Sequence, residues 1–417
     1  MLKRVEARNQ SYVSWIVFLV TLVMVVLSLI SVVFPAFLSI YSEPKFPQGI
    51  NPFETGIWTF PLLITNFALL GIGILYFKNK IPKQITKSIK FIFDFEVSTK
   101  VAFLTILIIL GFYITLSVDE LLAKEPWEDF ERTTKSALEQ WSFEDITRQI
   151  DFHLMVKLLG NISMAVFGSY RVIPLMASVA LLILTYAVTT KIAKKRFSGL
   201  VSMVLVLQSS NFLTYDTLIT YSNFWVVFYI FSLYLVYNKW HVSPISFIFS
   251  TLSKPLSILF LPMSAFFVYR ASIAKRKKIQ ILTSYGIIVL LGISFLVITD
   301  TNLFTIKFDS YEFLSGFGSF SSQFRFDGLI VLFLLPLVVG LFISSRRGNL
   351  QADSVLVLIM SMLLLAAIIP GFTESYTNSP YRFVPLVVFF AMGVGTILSK
   401  DYFVRSNVEA SQVEQTT

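Results

Sequence analysis

The chain has no cysteine and only two histidines among its 417 residues. Disulfides and a catalytic thiolate are therefore excluded, and no His-x-x-x-His pattern or spaced ligand cluster marks a tightly held metal. The redox compartment stays undecided. Charge is also scarce: 14% of the residues are charged, against roughly 25% in ordinary soluble domains. No Walker A or Gly-x-Gly-x-x-Gly pattern occurs. The stretch "GFGSF" at 316–320 lacks both the spacing and the flanking strand, so cytosolic nucleotide chemistry has no visible home.

What is present is apolar. Hydrophobic residues make up 55% of the chain, aromatic residues 16%, and the mean hydropathy is +0.73. The class that follows is an all-α, polytopic integral membrane protein. The net charge of +9 does not point to nucleic acid, because the cations sit in short clusters between apolar runs, as cytoplasmic loops require. The N-terminus "MLKRVEARNQ" leads into an apolar run from Trp15 to Phe37. That run is too long for a signal-peptide core and lacks a small-x-small cleavage site, so it reads as a retained helix.

The charges then set an expected topology. Lys3, Arg4 and Arg8 place the N-terminus inside. Spans are expected at about 15–38, 57–77, 101–118, 170–190, 198–212, 222–237, 281–299, 328–344, 353–369 and 382–398. The region 244–270 reads as two short helices turned at Lys254 and Pro255, because a single crossing would invert every later basic loop. The total is about twelve helices with both ends cytoplasmic. Residues 1–100 hold two N-terminal helices and a basic loop carrying Lys78, Lys80, Lys83, Lys87 and Lys90. Residues 101–400 form the core, and 401–417 a polar cytoplasmic tail. Residues 300–327 and "GFTESYTNSPYR" are expected as external loops.

The longest external loop, 119–152, carries ten acids against four bases, with Trp127 and Trp141 among them. It is expected to lie along the membrane as a tether or lid with interfacial helices. "NIS" at 161–163 reads as an acceptor sequon inside an interfacial segment. The polar residues a membrane protein should avoid are Asp119, Glu120, His153, Arg171, Asp216, Lys254, Arg325, Glu374, Tyr381 and Arg382. All fall at or near expected external helix ends. A proton-coupled transporter more often places such groups near the bilayer midplane. Here they line one face, which points to binding or chemistry at the outer surface.

The order of these residues carries a resemblance. A helix ends on the Asp119–Glu120 pair of "SVDELL". A long external loop follows, then "DFHLMVKLLG", "VFGSYRVIPLMAS" and "TTKIAKKRFSG". Later come "LTYDTLI", "LSKPLSIL" and "YRFVPLVVFFAMGVG". This succession resembles the GT-C class of membrane glycosyltransferases, on the branch of protein O-mannosyltransferases and lipid A aminoarabinose transferases. Two departures stand out: the prolines that class carries after its histidine are missing after His153, and Thr214 stands where an Arg is expected two residues before Asp216. The two N-terminal helices lie outside the shared core.

The resemblance implies a GT-C-like core whose external loop carries interfacial helices. It also implies an enzyme moving a sugar from a polyprenyl-phosphate donor to a protein, lipid or glycan acceptor on the external face. Inverting transfer needs a carboxylate base and cations for the departing phosphate. Asp119 is the candidate base with Glu120 beside it. Lys254 and Arg382 are candidate phosphate ligands, and His153, Arg171, Asp216 and Tyr381 are candidate substrate contacts. The bland alternatives are a membrane-boundary acid pair, a snorkelling Lys254 and ordinary helix-end anchors at Arg171 and Arg382. No tightly bound cofactor is expected, though the acidic loop leaves room for a loosely held divalent cation such as Mg²⁺. The expected partners are the lipid-linked sugar, membrane lipid and an unidentified acceptor. The second functional class is a non-enzymatic transporter, flippase or scaffold handling lipid-linked substrates, which the two short helices around "SKP" mildly favour.

Overall fold

The computed structural model describes residues 2–42, 51–78, 80–126, 129–141, 153–220, 223–298, 308–372 and 380–399. Trp127, Glu128, Glu144, Asp145, Arg148, Asp151, Glu374 and the tail 401–417 lie outside the described residues, so the proposed lid is seen only at its root. Every regular element among the described residues is helical.

In chain order the helices are α1 (Leu2–Val33), α2 (Pro35–Ser42), α3 (Thr59–Phe77), α4 (Lys83–Asp94) and α5 (Thr99–Leu122). A π turn at Phe130–Thr134 runs into α6 (Lys135–Glu139), followed by α7 (Leu154–Phe167), α8 (Val172–Ala193), α9 (Arg196–Leu207) and α10 (Ser210–Tyr215). The chain continues as α11 (Phe224–Asn238), α12 (Ser243–Ser253), α13 (Leu261–Arg270), α14 (Lys275–Ile298) and α15 (Ser310–Gln323). It ends with α16 (Gly328–Arg346), α17 (Gln351–Phe372) and α18 (Val384–Ile397).

Among the described residues six helices are long and apolar enough to cross a membrane: α1, α3, α5, α8, α16 and α17. Five further apolar helical stretches run only 10–17 residues, short of the ~20 that a hydrocarbon core asks of a single span. The peripheral helices face outward with large apolar side chains. Phe60 and Phe67 on α3 are 68% and 70% exposed, and Phe112 on α5 is 68% exposed. Such a surface would be untenable in water and is the ordinary surface of a helix in lipid. The centre of the bundle is α17, two thirds of whose spanning window is buried, with α15, α1, α18, α16 and α13 packed around it.

Close helix contact depends on small residues, as membrane packing generally does. A Cβ at Gly316 of α15 would fall on the Ala366 carbonyl oxygen and 2.5 Å from the Ala367 Cα. The two backbones therefore touch there, and no side chain larger than hydrogen fits. Residues 300–327 were expected as a loop, but 310–323 form this helix. Its serines and glycines lower the hydropathy, which hid it. They also permit the contact with α17, while Asp309 caps its first turn by accepting from Tyr311 N at 2.8 Å and Glu312 N at 3.2 Å. The basic loop after α3 likewise contains a helix, α4, with no buried residue.

One buried polar hub ties four helices together. Arg270 at the end of α13 pairs with Asp353 of α17 at 2.6 Å, with both side chains at most 1% exposed. Ser14 of α1 donates to the same carboxylate at 2.7 Å and lies 3.1 Å from Ser345 of α16. An ion pair with no access to water must be fully complemented, or it costs more than it contributes. Ser14 supplies part of that complement, while Arg270 Nε and Asp353 Oδ1 have no hydrogen-bond partner among the described residues.

Candidate functional site

Helix α12 runs antiparallel on α11, joined by a ladder of serine hydroxyls. Ser243 donates to the Ser232 carbonyl at 2.9 Å, Ser246 to that of Phe228 at 2.7 Å, and Ser250 to that of Trp225 at 2.8 Å. This register carries the end of α12 to the start of α11. Pro255 disfavours helical backbone at the residue before it, and Lys254 is extended (φ −155°, ψ 115°). The chain then resumes as a 3-10 turn, Pro255–Phe260, and continues as α13 to Arg270. Lys254 thus stands at a bend, with its ammonium 5.7 Å from the Trp225 ring centre and 4.6 Å from that of Tyr381.

Arg382 reaches the same place from a 3-10 turn, Pro380–Phe383, that opens α18. Its Nε donates to the Tyr381 hydroxyl at 3.3 Å, while its Nη1 is buried with no hydrogen-bond partner among the described residues. Lys254 and Arg382 line one cavity of about 50 Å³, whose remaining wall is apolar except for Ser257 and includes Trp225, Phe260, Leu365 and Ile369. No carboxylate is among the described residues lining it. The cavity is far smaller than the 300 Å³ or more of a typical small-molecule site. It can seat a charged head group, not a whole ligand.

A second polar group gathers where α5 ends and α8 begins. Arg171, directly before α8, donates through Nη1 to the carbonyls of Glu120 and Ala123. Its Nη2 donates to Thr217 at 2.9 Å and lies 3.8 Å from the Glu120 carboxylate. Thr217 in turn donates to Glu120 Oε2 at 2.7 Å. Arg171 therefore closes the C-terminal end of α5, where a cation offsets the free carbonyls and the helix dipole. Asp216 is buried next to this group. Its Oδ2 accepts from Tyr113 at 2.6 Å and its carbonyl from Ser178 at 2.7 Å, while Oδ1 has no partner among the described residues. Burial raises the Asp216 carboxyl above the usual carboxylate range; the Tyr113 hydrogen bond opposes that rise and the charge of Glu120 adds to it. Burial likewise raises Glu125, against the pull of Arg171.

An aromatic pair joins the two groups. Tyr215, the residue before Asp216, lies edge-on to Tyr381, the residue before Arg382, with centroids 6.1 Å apart. Lys254, Tyr381, Tyr215 and Asp216 thus form one continuous line of contacts.

The structure treats the other expected residues unequally. Asp119 and Glu120 point about 100° apart on their helix. Both are exposed and neither lines the Lys254–Arg382 cavity, but Glu120 is tied to Arg171 and Thr217. His153 is exposed at the start of α7. Thr214, the departure from the expected Arg, is exposed and donates to the Ser210 carbonyl. One positioning residue was missed altogether. The Asp327 carboxylate accepts from the backbone of Ser210 at 2.7 Å and Asn211 at 3.2 Å, fixing the start of α10 and with it Tyr215 and Asp216. The only signal in the sequence was an acid just before an apolar run.

Among the described residues no three His, Asp or Glu side chains come together as a metal would need. The candidate holder of a cation was the acidic loop, much of which lies outside the described residues. No family model matches the chain, and comparison with curated proteins and with solved structures likewise gives no match.

Proposed function

We propose that the chain is an integral-membrane glycosyltransferase that takes its sugar from a polyprenyl-phosphate donor at the external face, with a GT-C-like core, about twelve crossings and both termini cytoplasmic. The observation that carries this reading is the pair Lys254 and Arg382, two cations on one small apolar cavity with no described carboxylate lining it. Two cations brought together out of water ask for an anion, and a guanidinium is suited to phosphate. The apolar wall suits a ligand whose phosphate is joined to a hydrocarbon chain.

In this reading the departing phosphate rests between Lys254 and Arg382, which stabilise the charge that grows as the bond from C1 of the sugar to the phosphate oxygen breaks. The acceptor hydroxyl attacks C1 from the opposite side and gives its proton to a carboxylate. Asp119 is the carboxylate of its pair that Arg171 and Thr217 do not engage, and it takes that proton. Glu120, Arg171 and Thr217 lock the end of α5 and hold Asp119 in place. Tyr381, Tyr215 and Asp216 set the spacing between the phosphate end and the carboxylate end. The clustered cations Lys191, Lys194, Lys275, Lys278, Arg346 and Arg347 stand at the helix ends opposite Lys254 and Arg382, as cations of cytoplasmic loops would, which supports the topology.

The test is transfer in membranes supplied with radiolabelled polyprenyl-phosphate sugars and their endogenous acceptors. Wild-type chain should move label to an acceptor, and Asp119→Asn should reduce that transfer about 100-fold or more while the protein remains folded. Undiminished transfer by Asp119→Asn would remove it as the base. Labelled lipid crossing the bilayer with its sugar intact would favour transport.

A further inference from the structure

A second, roomier cavity lies at the other end of the bundle. It measures about 670 Å³ and sits where α8 ends, α13 meets α14, and α17 begins. Four lysines line it: Lys191 and Lys194 from α8 and its cap, and Lys275 and Lys278 from the first turn of α14. Arg270 also lines it, but its charge is met by Asp353. No Asp or Glu among the described residues lines this cavity. Lys278 donates to the Tyr269 carbonyl at 2.6 Å, which fixes the lysine without neutralising it.

Two independent features point to an anion. The first residues of α14 and α17 both border the cavity, so the positive ends of two helix dipoles lie at its wall. The end of α8 opposes them with its negative pole, and Lys191 and Lys194 offset that pole. Asn349 is only 8% exposed and lines the cavity, yet its Nδ2 donor has no hydrogen-bond partner among the described residues. A buried amide N–H without an acceptor costs on the order of 1–3 kcal/mol. A ligand oxygen in the cavity would satisfy it.

We propose that this cavity binds a phosphate-bearing anion, held by Lys191, Lys194, Lys275, Lys278 and the Asn349 amide. The site is distinct from the one at Lys254 and Arg382 and shares no lining residue with it. Along α17 the two are separated by the rise from Gln351 to the stretch Met362–Ile369, about 17–27 Å at 1.5 Å per residue, more than half the thickness of a hydrocarbon core. One ligand therefore cannot serve both, and the second site faces the opposite membrane surface. The volume is within the range of small-molecule sites and fits a phospholipid head group or a soluble phosphate compound.

The experiment uses the purified full chain in a neutral detergent. Its thermal unfolding midpoint is measured with phosphatidylglycerol in the micelles and, separately, with sodium pyrophosphate at matched ionic strength. Four proteins are compared: wild type, K191A/K194A, K275A/K278A, and R276A/K277A as a control on the same helix but outside the cavity. Lys191, Lys194 and Lys275 are exposed and Lys278 is half-buried, so neither pair of replacements opens the core. The wild-type midpoint should rise with at least one probe, and the rise should fall by half or more in both cavity variants but not in the control. A rise with phosphatidylglycerol alone assigns a lipid head group; a rise with pyrophosphate alone assigns a soluble phosphate. No rise with either probe, or an equal rise in all four proteins, overturns the site. The Lys254→Ala chain should keep the full response, so this result stands apart from the fate of the glycosyltransferase reading.

Discussion

The Lys254 ammonium lies 4.6 Å from the centre of the Tyr381 ring, whose hydroxyl accepts from the neighbouring Arg382. One tyrosine therefore contacts both cations of the cavity, the first through its face and the second through its oxygen and, with the guanidinium 5.8 Å from the centroid, its ring. A ring face attracts a cation by about 0.5–2 kcal/mol, which helps two like charges share a small space.

Replacing Tyr381 should separate these roles. Tyr381→Phe keeps the ring and loses only the acceptor of Arg382, so affinity for a polyprenyl phosphate should fall about 3-fold or less. Tyr381→Ala removes the ring and should weaken it about 2- to 30-fold. Equilibrium binding in detergent checks both, and equal losses would show that the ring face contributes nothing.

The hub at the opposite end should govern stability. Arg270→Ala or Asp353→Ala leaves a buried charge without its partner, at a cost of about 3–5 kcal/mol. The double replacement Arg270→Met with Asp353→Leu should recover much of that loss, because no charge then stays buried. Thermal unfolding of the three variants measures the difference. A double variant as unstable as the worse single one would contradict the ion-pair explanation.

Much of this architecture was legible in the sequence, and the illegible parts have physical causes. Scarce charge and long apolar runs gave the helical class, and Lys254 and Arg382, some 130 residues apart in the chain, were each out of place enough in apolar surroundings to be singled out. The bend at Lys254 was visible because a proline follows it. Helix α15 was not, since the small residues that let it touch α17 also erase its hydropathy. Neither was the split between Asp119 and Glu120, because adjacent acids look alike until the helix turns one toward Arg171. Asp327 escaped notice because a carboxylate that caps a distant helix leaves no local pattern.

Gly316 and Gly318 offer a paired test of the α15–α17 contact. Gly316→Ala must push the Ala366 backbone away, and Ala366 lines the Lys254–Arg382 cavity. The variant should lose about 1–3 kcal/mol of stability and also bind polyprenyl phosphate more weakly. Gly318 has open space at its Cβ position, so Gly318→Ala should be neutral or slightly stabilising in the helix. Unfolding midpoints and binding isotherms of the two variants decide it.

Asp216 should make stability depend on pH. Its carboxyl is raised from the ordinary 3.8 to about 7 in the folded chain. Between those values the unfolded chain has already lost the proton that the folded chain retains, so stability falls as pH rises through this window. Wild type should therefore unfold at a higher temperature at pH 5 than at pH 7.5, and Asp216→Asn should flatten the difference. The same slope in the variant would place the pH dependence elsewhere.

The most direct measurement on the central claim is binding of a polyprenyl phosphate and of the matching polyprenol to wild type, Lys254→Ala and Arg382→Ala. A charge-assisted hydrogen bond is worth about 1.5–3 kcal/mol, so each replacement should weaken the phosphate about 10- to 100-fold. The alcohol, which carries no charge, should bind all three proteins alike. Phosphate binding unchanged in both variants, or an equal loss for the alcohol, would contradict a phosphate site at Lys254 and Arg382.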